Sequence, residues 1–102
     1  MARLLALYKT PSDPAAFDAY YAATHAPLAK TLPGLGAYDI SRGTVAGPGG
    51  PTGIHLIATL HFDTVDAIAS ALASPEGQAT VADLANFADG GVEVMMFETV
   101  DA

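Results

Sequence analysis

The stretch from Ile54 to Phe62 constrains the fold more than any other. Ile54, Leu56, Ala58, Leu60 and Phe62 alternate with His55, Ile57, Thr59 and His61, giving one wholly apolar face and one mixed face. Period-two alternation marks a half-buried strand. Such a strand needs neighbours in a sheet and a layer over its dry face. Arg3 to Lys9 supplies a second strand, short and nearly all apolar. Asp13 as N-cap and Pro14 at the first helical position then open a helix. It runs toward Leu32 with Phe17, Tyr21, Thr24, Leu28 and Leu32 on one face. Pro27 interrupts it, because its ring displaces Ala26 from helical geometry and it has no N–H. A kink, or a restart with Pro27 as the new first position, is expected.

Leu32-Pro33-Gly34 ends that helix. Leu35 to Val45 reads as a strand with Tyr38, Ile40 and Arg42 on one face and Asp39 and Ser41 on the other. Ala46 to Gly53 is a loop by its glycine and proline content. After Phe62, Asp63 or Thr64 caps a helix to about Ala73, and Ser74-Pro75 restarts it. Val81, Leu84 and Phe87 continue its apolar stripe. Asp89-Gly90-Gly91 then leads into a last strand, Val92 to Thr99.

This order predicts a single α+β domain over residues 1–102, ferredoxin-like βαββαβ. Two split β-α-β units make a four-stranded antiparallel sheet with both helices on one face. The first and last strands are apolar on both sides, whereas a sheet with one wet face should alternate cleanly. An exposed face this apolar invites aggregation, so two copies packed about a two-fold axis are expected. The composition agrees: 51% of residues are hydrophobic and only 15% charged, against about a quarter charged in ordinary domains. His55, Thr59 and His61 on the mixed face are expected to border a partly hydrated pocket, since buried polar groups are costly unless bonded or wet.

Four Lys and Arg against eleven Asp and Glu give a net charge of −7, which repels a phosphate backbone and makes nucleic acid and anionic membrane poor partners. No stretch reaches the roughly 18 apolar residues of a membrane span. The opening residues turn polar too soon for a signal peptide, so a cytoplasmic protein is expected. There is no cysteine, hence no disulfide, thiolate nucleophile or zinc-thiolate site. His55 and His61 are six residues apart on one strand, roughly 20 Å at strand rise, too far to chelate one metal. No metal site is expected. The glycine-rich segment Gly47 to Gly53 has neither the Lys-Ser/Thr of a P-loop nor dinucleotide-binding spacing.

His25, on the core-facing flank of the first helix, is the leading catalytic candidate, because imidazole suits acid–base work at neutral pH. Alternatively its ring bonds a carbonyl freed by Pro27. Tyr8, Tyr21 and Tyr38 either orient a substrate oxygen or serve as amphipathic core residues, while Tyr20 points to the side. Thr59 and His61 are pocket candidates. Asp83 and Asn86 share a helix face and are expected to tie down the loop before the last strand. Arg42 holds a carboxylate or enolate, or pairs with a surface acid.

Tyr8, Phe17-Asp18, Tyr20-Tyr21, His25-Ala26-Pro27-Leu28 and Gly34-Leu35 together resemble the EthD-like family, named for a role in ethyl tert-butyl ether degradation. Ala58-Thr59-Leu60-His61-Phe62-Asp63-Thr64 and Ala82-Asp83-Leu84-Ala85-Asn86-Phe87 extend the likeness over nearly the whole chain. The resemblance implies a dimeric α+β barrel: a homodimer with a pocket between helices and sheet in each subunit. Superfamily members include monooxygenases, lactone isomerases and polyketide-tailoring cyclases, decarboxylases and dehydratases. Most act on conjugated or aromatic carbonyl compounds, often with no metal or organic cofactor, and none is expected here. Two functions follow as expectations. One is an enzyme acting on a small apolar carbonyl, aromatic or polyketide-like compound (an isomerase, cyclase, dehydratase or cofactor-free oxygenase). The other is a non-catalytic small-molecule-binding or accessory protein that supports a partner oxygenase in a degradation pathway.

Overall fold

A computed structural model describes all of residues 1–102. The chain runs β1 (Ala2–Lys9), α1 (Pro14–Tyr20), a π-helical turn (Tyr21–His25), α2 (Ala26–Ala29), β2 (Ala37–Ile40), β3 (Ala46–Gly47), β4 (Gly50–Pro51), β5 (Ile54–Phe62), α3 (Val65–Ala73), α4 (Pro75–Phe87) and β6 (Val92–Glu98). The four long strands form one sheet in the order β2-β5-β1-β6, every pair antiparallel. β1 and β2 are thus parallel with β5 inserted between them, the split β-α-β arrangement. The fold is the expected ferredoxin-like α+β sheet with its helices on one face.

Register divides the strands into two faces. Ala2, Leu4, Ala6 and Tyr8 of β1 lie opposite Phe62, Leu60, Ala58 and Leu56 of β5, and all eight are buried under the helices. Phe17, Tyr21, Ile68, Ala71 and Phe87 complete that core. The open face carries Leu5, paired with Thr59 and Met95, and Arg3, paired with His61 and Phe97. Met95 and Phe97 remain 45% and 38% exposed, so the apolar excess of β6 is not covered within one chain.

Helix starts follow the caps. Asp13 accepts from the Ala16 N–H at 3.1 Å, Thr64 from Ala67 at 3.0 Å, and Ser74 from Gly77 at 3.0 Å. Gly77 must be glycine, because a Cβ there would lie 2.1 Å from the Ala71 carbonyl oxygen.

Five expectations are corrected. Pro27 does not displace Ala26, whose φ and ψ of −62° and −45° are helical. The Ala26 N–H instead reaches back five residues to the Tyr21 carbonyl, and that wider turn accommodates proline as a start for α2. The extra residue shifts the buried stripe by one. Phe17, Tyr21, His25 and Ala29 face inward, where Thr24 and Leu28 were expected; Thr24 is exposed and Leu28 only half-buried. The second strand is shorter than Leu35–Val45, and the glycine-rich segment folds as the β3–β4 hairpin rather than a plain loop. Finally, Val81 is half exposed; the inward face of α4 is Gly77, Thr80, Asp83 and Phe87.

Candidate active site

Two local choices of the sequence bring the site together. The π-helical turn aims both Tyr21 and His25 under the helix layer, and the inward stripe of α4 carries Asp83 to meet them. His25 is 3% exposed. Its Nδ1 lies 2.9 Å from Asp83 Oδ2 and its Nε2 3.4 Å from the Tyr8 hydroxyl. Asp83 is itself held: Tyr20 donates to Oδ1 at 2.6 Å and the Asn86 side-chain amide donates at 3.0 Å. Burial pushes the Asp83 carboxyl up, but the hydrogen bonds from Tyr20, Asn86 and His25, together with the histidine's charge, outweigh it and hold the group below the usual carboxylate range. An ionised carboxylate only accepts, so Nδ1 carries the proton and donates. In the neutral ring Nε2 is the unprotonated nitrogen, to which the Tyr8 hydroxyl can only donate.

The Tyr21 and Tyr38 hydroxyls are hydrogen-bonded to each other. Burial raises the pKa of both, and of Tyr8, so all three phenols stay protonated. In a pair of neutral hydroxyls one proton occupies the shared bond and the other is free to donate. Phe87 seats the cluster, with ring centroids 4.6 Å from His25 and 5.6 Å from Tyr8.

These groups wall a cavity of about 210 Å³ between helices and sheet. Tyr8, Tyr21, Tyr38, His25 and Thr80 border it, and aliphatic side chains from β1, α2, β5, α3, α4 and β6, with Leu32, form the rest. Four of the expected site residues therefore share one cavity. Thr59 and His61 do not. They lie on the open face of the sheet, where His61 bonds Asp39 at 2.9 Å. Nor do His55 and His61 share a face. Tyr8 pairs with Leu56 and Lys9 with Ile54, leaving His55 as the extra residue of a bulge. Its ring turns to the helix side, 2.7 Å from Asp18 and edge-on to Phe17. A cavity fed by the mixed face of β5 is thus replaced by one on the opposite side. Asp83 and Asn86 were assigned to the loop, yet they support His25. The inward spacing of Thr80, Asp83 and Phe87 was the available signal for this. The acceptor for His25 is the Asp83 carboxylate, not a carbonyl freed by Pro27. No three His, Cys, Asp or Glu side chains form a group able to hold a metal ion, and no helix is long and apolar enough to cross a membrane.

Asp83→Asn tests the electrostatics. A folded-state pKa below the unfolded value means that ionised Asp83 adds stability above the unfolded pKa, near 3.9. That stability is lost as pH falls through the lower folded value. The variant should be less stable than the parent at pH 7 by roughly 1–3 kcal/mol in urea unfolding. The gap should narrow as the pH falls below the unfolded value of about 3.9. A gap that stays constant with pH would mean that shape, not charge, matters at this position.

The chain is thus a ferredoxin-like α+β domain with a carboxylate-held histidine on a largely apolar, partly open cavity. Residues 9–91 match the EthD domain, and the chain belongs to the EthD family. It is 38% identical over 95 residues to an uncharacterized 11.0 kDa protein from the thcB-thcC intergenic region of Rhodococcus erythropolis, covering 93% of this chain and 91% of that protein. It is 33% identical to an EthD family protein of Bacillus halodurans, whose solved structure matches with a TM-score of 0.89 over 98% of this chain and 99% of that one. At 20% identity and a TM-score of 0.66, the cofactor-independent oxygenase SnoaB from Streptomyces nogalater shares the fold over 99% of this chain and 94% of its own.

Proposed function

We propose that this protein is an enzyme that moves a proton on a compact apolar carbonyl or phenolic compound, with His25 as general base and then general acid. One observation carries this: a buried imidazole that lines a largely apolar cavity is fixed at Nδ1 by ionised Asp83, which leaves Nε2, contacted at 3.4 Å by the Tyr8 hydroxyl, as its basic nitrogen. In the step envisaged, Nε2 takes a proton from the carbon beside a substrate carbonyl. The electron pair passes to the carbonyl oxygen, which accepts a hydrogen bond from the free hydroxyl of the Tyr21–Tyr38 pair. Asp83 stabilises the imidazolium, which returns the proton at a second position. Isomerisation, cyclisation and dehydration all share this first transfer. Apolar cavities near 150 Å³ hold a benzene ring, so about 210 Å³ suits a single substituted ring.

The test follows the α-protons of cyclic ketones by NMR in D2O with catalytic amounts of protein. Protein-dependent exchange at one carbon supports the proposal. Tight binding without exchange for every ketone that enters the cavity would favour a carrier or accessory protein instead.

The working form in this reading is a cytoplasmic homodimer joined through the open sheet face, where Leu5, Leu7, Ile57, Met95 and Phe97 lie on neighbouring register positions, with Thr59 and Glu93 beside them. Sedimentation at micromolar concentration should give a dimer, and Phe97→Lys should yield a folded monomer or a dimer weakened at least tenfold. A stable monomer of the parent protein would refute the dimer.

A further inference from the structure

We propose that the substrate of this site carries an anionic arm, held outside the cavity by Lys30 and Arg42. The inference rests on the acid–base reading of the cavity and narrows its substrate class. A groove of about 810 Å³ runs between the π-helical turn and α2 on one side and the segment joining β2 to β5 on the other. Tyr21 lines both this groove and the cavity, so an outer chamber and an inner one adjoin at this residue.

Charge distinguishes the two chambers. The chain has only four Lys and Arg at a net charge of −7, and two of them, Lys30 and Arg42, line the groove. Neither forms an ion pair, whereas Lys9 pairs with Glu93 at 3.7 Å and Arg3 sits on the open sheet face bonded to the Ala2 carbonyl. The one carboxylate lining the groove, Asp18, lies 2.7 Å from His55 Nε2 and is outnumbered by the two cations. The unmatched charge of the groove is therefore positive on an otherwise acidic surface. Both cations stand on fixed backbone. Lys30 caps α2 through a bond from its N–H to the Ala26 carbonyl. Arg42 follows Ser41, which donates its N–H to the Ile57 carbonyl and accepts the Ile57 N–H on its hydroxyl.

The inner cavity is walled by aliphatic groups and neutral phenols, where an unpaired carboxylate would be costly to desolvate. A ligand with an apolar ring and an acidic arm fits both chambers: the ring lies against His25 and the Tyr21–Tyr38 pair, and the arm passes Tyr21 to reach the cations. Arginine presents a donor fork matched to a carboxylate, and lysine adds a point charge.

The experiment is an NMR titration reading the His25 ring signals. The probes are 4-methylphenol, phenols bearing carboxylate arms of one to three methylenes, and the methyl esters of those acids. The best acid should bind about tenfold more tightly than its ester, the order expected of a charge-assisted contact. The preference should shrink in about 0.5 M NaCl, where exposed charges are screened. It should vanish in the Lys30→Gln/Arg42→Gln double variant, which keeps the 4-methylphenol affinity unchanged because neither residue lines the cavity. If 4-methylphenol shifts His25 but acids and esters bind alike, or the double variant keeps the preference, the anionic arm is wrong and the cavity reading stands. If no probe shifts His25, both are overturned.

Discussion

Replacing His25 by alanine is expected to lower turnover by roughly 10²–10⁴-fold, the range for a lost general acid or base, while binding of a product-like phenol weakens only a few-fold. The asymmetry follows from geometry. The ring contributes one wall of a mostly apolar cavity, so a bound phenol loses little contact. Proton transfer loses its only base, since burial keeps Tyr8, Tyr21 and Tyr38 protonated and Asp83 is occupied by Tyr20 and Asn86. Those two donors also keep the carboxylate partnered in the variant, which should therefore still fold. The measurement is the rate of ketone α-proton exchange beside the phenol dissociation constant. Exchange within a factor of a few of the parent, with a lowered melting temperature, would make His25 a structural residue that merely ties the π-helical turn to α4.

The second large effect belongs to Phe87. Its ring lies 5.2 Å from Phe17, 5.3 Å from Tyr20 and 5.8 Å from Tyr21, in addition to its contacts with His25 and Tyr8. It is the last residue of α4 and is 8% exposed. Truncation to alanine removes the common neighbour of five rings on three elements. The expected cost is about 3–5 kcal/mol in urea unfolding, a large share of the 5–15 kcal/mol typical of a whole domain. Activity should fall as well, because His25 and Tyr8 lose the surface that orients them. A loss below about 1 kcal/mol would show that the other rings collapse onto one another and that Phe87 only fills space.

The order of strands and helices was legible because it rests on local chemistry. Alternation from Leu56 to Phe62 and the Asp13, Thr64 and Ser74 caps each depend on a few adjacent residues, and each appears where the sequence puts it. The grouping of His25 with Tyr8, Tyr21 and Tyr38 was equally accessible, since helix and strand periodicity aim them at one layer. Two single-residue insertions hid the rest. The bulge at His55 breaks period two, and the π-helical turn breaks period 3.6. Neither leaves a compositional trace, because each is decided by what packs across the sheet. The role of Asp83 was obscured for another reason. An acidic residue on a helix reads as solvated unless its partners are known, and those partners lie 58 and 63 residues away in sequence, at His25 and Tyr20.

The π-helical turn makes the site sensitive to chain length in a way the fold is not. If Tyr21–His25 closed as ordinary α-helix with no residue removed, every residue after it would be carried around the axis by as much as about 100°, the turn of one α-helical residue. Phe17 and Tyr21 would keep their places, Thr24 and Leu28 would turn inward, and His25 would move to the flank of the stripe, away from Asp83. Insertions and deletions are usually tolerated in surface loops, and here the β3–β4 hairpin can lengthen freely. The five residues Tyr21–His25 instead couple residue count to helix type. A segment one residue shorter would hold its histidine on the same inward face as unbroken α-helix, so count and π-helical turn must change together for the site to survive.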